Sequence, residues 1–320
     1  MKEFDQATLA ELVIAAERLA GTACGGMDQT ISIMGQLNTA KLIDFVPKLK
    51  ATDIKIPDNV QLVIANSLTP SAKLQTLGTR YNKRVVECRF SVAVIALHKG
   101  LVPSLMECNI KTFQELQEKM GLSFQDMIQE VKKCLKPEGY TIQMLRRATN
   151  HETPFDYVSD VSHVDEVESK NAAFYLYERA VHVFGEAERV HEFRRVCDDA
   201  MLEATAKVNK LGQLMNESHE SCDKLYDCSS EELNELTQKA REAGALGSRL
   251  TGAGWGGCCV SLVFKASCEA FVDKMMGYYT DERPAHKKLW VTDDLERYIF
   301  ASSPGQGALV LDPEFCDFYL

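Results

Sequence analysis

The sequence predicts an α+β protein. Three observations carry the prediction: long helix-period stretches through the middle, short β-branched apolar runs toward the two ends, and no regular strand–helix alternation between them. With 320 residues, 45% of them hydrophobic, the chain can build one large domain or two ordinary ones.

Leu9, Leu12, Val13, Ala16 and Leu19 recur at helical spacing, and Gly21 ends that helix. A turn at Cys24-Gly25-Gly26 leads into a short helix from Met27. Ala40–Phe45 and Val60–Asn66 read as strands, the second buried on both faces, with turn chemistry at Pro57-Asp58-Asn59 between them. A helix is predicted from Tyr81 to His98, ended by Gly100. Thr112-x-x-Glu115 and Ser229-x-x-Glu232 have capping-box form, each opening a helix. Asn150–Lys170 is polar and is expected to be an irregular surface excursion. Helical patterns follow over Lys170–Cys197 and Lys207–Asn216. In the tail, Cys259–Phe264, Tyr298–Ala301 and Ala308–Leu311 read as strands around a helix over Cys268–Tyr278.

The net charge of −10 disfavours a general nucleic-acid binder or a protein held on anionic lipid, since both need a surplus of Lys and Arg. No apolar run approaches the roughly 20 residues that span a bilayer. The polar N-terminus lacks the form of a signal peptide, so the expectation is a cytoplasmic protein. The 11 cysteines contain no C-x-x-C pair and no zinc spacing, which favours reduced thiols and no structural metal.

Two segments carry chemistry. Gly252, Gly254 and Gly257 satisfy G-x-G-x-x-G, but an apolar strand follows where a dinucleotide site needs a helix. No H-R-D, D-F-G or Walker A pattern accompanies them, so protein-kinase and P-loop readings fail. Either a tight hairpin or a loop of anion-binding amides fits the glycines. Asp28, after Gly25-Gly26 at a helix start, is either a carboxylate placed for the helix dipole or a general base toward a hydroxyl. Lys73, after a buried strand, is either a solvated loop lysine or a nucleotide contact.

Taken together, four stretches resemble the galactokinase branch of the GHMP sugar kinases, nearest the N-acetylgalactosamine-kinase type. They are Leu9–Thr22 with Cys24-Gly-Gly-Met-Asp-Gln29; Val63–Ser67 with Tyr81–Arg89; Leu214-Met-Asn-Glu-Ser-His-Glu-Ser-Cys222; and Gly247-Ser-Arg-Leu-Thr-Gly-Ala-Gly-Trp-Gly-Gly-Cys258. The resemblance implies two α+β lobes with an active site between them: 1–56 as the remnant of an N-terminal lobe, 57–320 as the C-terminal lobe with a helical insertion. It implies ATP-dependent phosphorylation of galactose or N-acetylgalactosamine at the C1 hydroxyl, with Mg²⁺, by a monomer. Asp28 matches the active-site aspartate, with Gly25, Gly26 and Tyr81 beside the sugar. Lys73 matches a nucleotide position. Gly252, Ala253, Gly254, Gly256 and Gly257 match the loop near the phosphates. Glu217 and His219 match in sequence and are expected to be structural.

Two family motifs are missing. No Glu-His-x-Asp run occurs, and no Gly-Leu-Ser-Ser-Ser-Ala loop, which would cradle phosphate and ligate Mg²⁺. The expectation is therefore a truncated N-terminal lobe, with activity impaired in the chain as written and apolar surface left uncovered. The rival readings are a non-catalytic sugar sensor and a fragment.

Overall fold

The computed structural model describes residues 5–19, 25–46, 48–71, 76–283 and 294–309. Its contacts divide the chain into two units: Met1–Pro57 with Ser303–Leu320, and Asp58–Ser302.

The first unit is built from helix α1 (Gln6–Leu19), helix α2 (Met27–Met34) and strands β1 (Ala40–Asp44) and β2 (Lys50–Ile54), paired antiparallel. Strand β2 was not foreseen; its Lys50-Ala-Thr-Asp run lacks an apolar alternation. Ala10, Ile14, Ile33 and Leu49 make up its buried core. Gly26 must be glycine: its φ is +103°, and a Cβ there would lie 2.4 Å from the Ile14 Cδ1. The segment after Ser303 returns to this unit. Asn38 N–H donates to Pro304 O at 2.8 Å, Gly307 N–H to Gly35 O at 2.9 Å, and Ala308 N–H to Ser32 O at 2.8 Å. These bonds tie residues far apart in the chain and leave no local periodicity to read. Within the predicted Ala308–Leu311 strand, residues 308 and 309 are in no ladder, and 310 and 311 lie outside the described residues.

The second unit pairs a four-stranded antiparallel sheet with a helical body. The sheet comprises β3 (Val60–Asn66), β4 (Gly247–Leu250), β5 (Cys258–Phe264) and β6 (Ile299–Ser302) in the order β4-β5-β3-β6. Val63, Ala65, Cys259, Val263 and Ile299 pack one face against helices α10 (Glu231–Ala243) and α11 (Cys268–Gly277). Burying alternate residues of three strands under two helices stabilises the sheet by removing apolar area from water.

The helical body holds α3 (Asn82–His98), α4 (Phe113–Met120), α5 (Phe124–Cys134), α6 (Ile142–Thr149), α7 (Val164–Lys170), α8 (Leu176–Asp198) and α9 (Ala204–Lys224). Helix α3 is buried nearly all round, from Val86 to Ala96. Thr112 and Glu115 form the expected capping box. At α10 the cap is Ser230, whose side chain accepts from Leu233 N–H, one residue later than predicted. Ser229 instead donates its hydroxyl to Asn234 Oδ1 at 2.6 Å.

Residues 150–170 are no surface excursion. Phe155, Tyr157, Val158, Val161 and Val167 enter the main core, because short turns there deliver apolar residues without a helical period. The helix predicted from Lys170 breaks over 171–175, where Phe174 exchanges backbone bonds with Tyr140 at 2.7 and 2.9 Å. Among the described residues no helix is long and apolar enough to cross a membrane.

Candidate active-site elements

The glycine-rich segment links β4 to β5. Gly252, Gly254, Gly256 and Gly257 all have positive φ, and so does Trp255 at +56°. Two of the glycines are demanded by close approach. A Cβ on Gly254 would sit 1.9 Å from Cys228 O, and one on Gly256 would sit 2.4 Å from Thr69 O. Hairpin and anion-loop readings need not exclude each other, since the strands form a hairpin whose connection is far more contorted than a two-residue turn.

Trp255 pins that connection. Its N–H donates to Cys228 O at 2.8 Å and its indole Nε1–H to Asp227 O at 3.0 Å. Tyr81 meets the indole edge-on, with centroids 6.4 Å apart, and the Arg84 guanidinium lies 6.0 Å from the ring. From the other side, Gly257 N–H donates to Thr69 O and Ser67 N–H to Gly257 O, both at 2.8 Å. The Ser71 hydroxyl donates to Gly254 O at 2.9 Å. Among the described residues, the amides of Gly252, Ala253, Gly254 and Gly256 make no hydrogen bond within the chain. Gly252, Gly254 and Gly256 combine uncommitted amides with positive φ, a backbone pattern that can present N–H groups to an anion.

The platform under the loop is ionic and buried. Glu87, fully buried on α3, accepts from Arg84 Nη1 at 2.9 Å, from Arg179 Nε at 2.8 Å and from Tyr175 N–H at 2.9 Å. Arg84 also donates to Tyr226 O at 2.7 Å and to Asp227 O at 3.1 Å, and pairs with the Asp227 carboxylate. Arg179 donates to Leu225 O. Two arginines thus clamp residues 225–227, and the Asp227 carbonyl together with that of the adjoining Cys228 holds Trp255. Burial lowers the pKa of neighbouring Lys83, against the opposing pull of Glu87. None of these five charged residues was singled out from sequence. A signal was present: Arg84 and Glu87 fall one turn apart inside an apolar helix, where unpaired charge is costly.

The Leu214–Cys222 stretch lies on α9 and guards the free edge of β4. Asn216 Oδ1 accepts from Ser248 N–H at 3.0 Å, and its Nδ2 donates to Leu246 O at 3.2 Å. His219 Nδ1 accepts from Leu250 N–H at 3.2 Å, which places the ring proton on Nε2, facing Thr237 Oγ1 at 3.0 Å. Burial, and then Arg241, push the His219 pKa down to about 4, so the ring is neutral. Gly212 and Gly247 let helix and strand touch: a Cβ on Gly247 would lie 2.1 Å from Gly212 O. His219 is a structural residue. Glu217 accepts from Gln213 at 2.7 Å on the exposed side of α9.

In the first unit, Asp28 stands exposed in the opening turn of α2, two residues after Gly26. The Thr30 hydroxyl, buried, donates to Gly26 O at 2.7 Å and fixes that turn. Gly25 has open space where a Cβ would be. Lys73 lies outside the described residues. The structure therefore joins Tyr81 to the 252–257 loop through Trp255, and Asp28 to Gly25 and Gly26.

Comparison with known proteins settles the relationship. Residues 201–275 match the family described as GHMP kinases C terminal, a span that contains α9, α10, the β4–β5 hairpin and its glycine loop. The chain is 38% identical over 318 residues to a galactokinase of Dictyostelium discoideum, covering 95% of this chain and 62% of that protein. It is 32% identical over 337 residues to a galactokinase of Saccharomyces cerevisiae, with the same shares covered. Residues 201–275 thus carry the match to the GHMP kinases C terminal family, and the chain is similar to galactokinases along 95% of its length. Its fold matches a crystal structure of Lactococcus lactis galactokinase complexed with galactose, with a TM-score of 0.62 and 21% identity over 97% of this chain and 62% of that one. The chain thus spans about 62% of the length of these relatives. The α+β expectation and the family resemblance both hold.

Proposed function

We propose that this chain supplies catalytic and phosphate-binding parts of a sugar 1-kinase, transferring the γ-phosphoryl of ATP to the C1 hydroxyl of galactose or N-acetylgalactosamine. The observation that carries the reading is the 252–257 loop. It is locked by Trp255, Cys228 and Thr69, and it holds four backbone amides with no partner among the described residues. Preorganised donors of that kind stabilise charge on a transferring phosphoryl group, which needs positioning more than covalent help. The similarity to proteins named galactokinase supports the choice of sugar and of ATP.

In this reading Asp28 accepts the proton of the attacking hydroxyl. Gly25, with open space where a Cβ would be, lets the sugar approach the backbone beside Gly26, Tyr81 stands next to it, and Lys73 meets the nucleotide. Gly252, Ala253, Gly254, Gly256 and Gly257 face the phosphates. Among the described residues no group of three or more His, Cys, Asp or Glu could hold a metal ion. No step here is routed through Mg²⁺. A cytoplasmic monomer is the setting we infer.

The test is a chimera in which this chain replaces the matching portion of the Dictyostelium galactokinase, assayed by coupled ADP release with galactose and with N-acetylgalactosamine. Turnover is expected with at least one sugar, and Asp28→Asn should lower kcat by at least about 10²-fold, the usual scale for a general base. A folded chimera that turns over neither sugar would overturn the kinase reading.

A further inference from the structure

A groove with a cavity volume of about 460 Å³ opens in the helical body of the second unit, among α3, α5 and α6. Val94, Leu97, Met144 and Ala148 give it an apolar floor, and Tyr140 contributes a ring. The Tyr140 hydroxyl accepts from Lys136 N–H at 2.9 Å, which fixes the phenol. Around the groove stand His98, Lys136 and Arg147, all exposed. No Asp or Glu is among the lining residues. The nearby Glu130 is committed to Lys99 and Lys133. Lys136 and Arg147 form no ion pair among the described residues.

This arrangement is unusual in a chain of net charge −10. A basic residue in the last turn of a helix offsets the helix dipole, and His98 and Arg147 occupy such positions in α3 and α6. Dipole compensation does not require them to converge on one concavity, nor Lys136, outside any helix, to join them. Lys136 and Arg147, cations with no ion pair among the described residues, focus a positive potential into the apolar cleft. The volume falls within the range of small-molecule pockets, which combine an apolar lining with a few polar groups.

We propose that this groove binds an organic anion, a carboxylate or phosphate monoester carried on an apolar or aromatic body. The body lies on Val94, Leu97, Met144 and Ala148, and the head faces Lys136 and Arg147. The site is independent of the kinase reading.

Cys134 provides a reporter. Its thiol lines the groove, 3.4 Å from His98 Nδ1. Burial raises its pKa, so alkylation is slow enough to time. The experiment measures N-ethylmaleimide labelling of Cys134 by peptide mass spectrometry, with 1-naphthyl phosphate, 1-naphthylacetate, naphthalene-1-methanol or 1-naphthylmethylamine present. Cys268, half-buried on α11, is the internal control.

At least one of the two anions should slow Cys134 labelling threefold or more, saturably, and leave Cys268 unchanged. A difference between phosphate and acetate would tell which head group the site prefers. Lys136→Glu with Arg147→Glu should abolish protection, and the milder Lys136→Gln with Arg147→Gln should weaken it. The proposal fails if neither anion protects Cys134. It fails equally if the neutral or cationic probe protects as well as the anions, or if the charge variants leave protection intact.

Discussion

His219 takes its role from the backbone beside it. In sequence it is a histidine in a family motif, expected to be structural; in the structure it is a neutral ring that accepts from the backbone of β4. His182 is similar, buried on α8 against Ser221 and stacked on Tyr226, with a pKa also pushed down to about 4 by burial. Both histidines take a proton in the unfolded chain near pH 6.5 and in the folded chain only near 4. Their contribution to stability is therefore complete above about pH 6.5 and is lost as pH falls from there toward 4. Urea midpoints measured from pH 7.5 to 4.5 should drop through that window. His219→Asn, which keeps an acceptor for Leu250 N–H, should flatten part of the slope. An unchanged slope would show that His219 does not titrate as described.

Between elements, the contacts that matter link α3, α8 and the turn after α9. Glu87 joins the first two, and Arg84 and Arg179 reach the third. The glycine loop inherits its position from this clamp, because Trp255 hangs on Cys228 and Asp227 carbonyls. Removing one member of a buried ion cluster leaves the others uncompensated, which costs about 3–5 kcal/mol. Glu87→Gln should therefore lower the unfolding free energy by about 3 kcal/mol, and Trp255 fluorescence should become more accessible to acrylamide quenching. A stable variant with unaltered quenching would argue that the loop holds itself. The same clamp marks a limit of pattern reading. The apolar spacing of α3 was plain, and so was the capping box at Thr112. The partners of Arg84 lie up to 143 residues away in sequence, and no local pattern reports them.

Across the whole chain, burial is uneven. The second unit carries long, continuous cores. The first has four buried apolar residues in its cluster, while Leu9, Leu12 and Val13 on α1, Met27 and Ile31 on α2, and Phe45 and Val46 beside β1 remain exposed. The expectation of uncovered apolar surface near the start of the chain is met. So little burial gives this unit a small margin over its conformational entropy. A two-stranded sheet adds little to it. In hydrogen-exchange mass spectrometry, amides of α1, α2 and β1 should exchange orders of magnitude faster than those of α3 and β5. Equal protection would mean that the first unit is stabilised by more than its own core.

The sequence by itself determined most of the helical and strand periods, the capping box at Thr112, and the family resemblance that its motifs carry. Each of these is encoded within a few residues, where spacing and backbone sterics act directly. Tertiary structure alone decided which charges meet beneath Trp255, which loop amides remain uncommitted, that the segment from Ser303 returns to α2, and that residues 150–170 turn inward. Those outcomes depend on chain closure over long separations, and the sequence spells out only the groups available to make them, not their pairing.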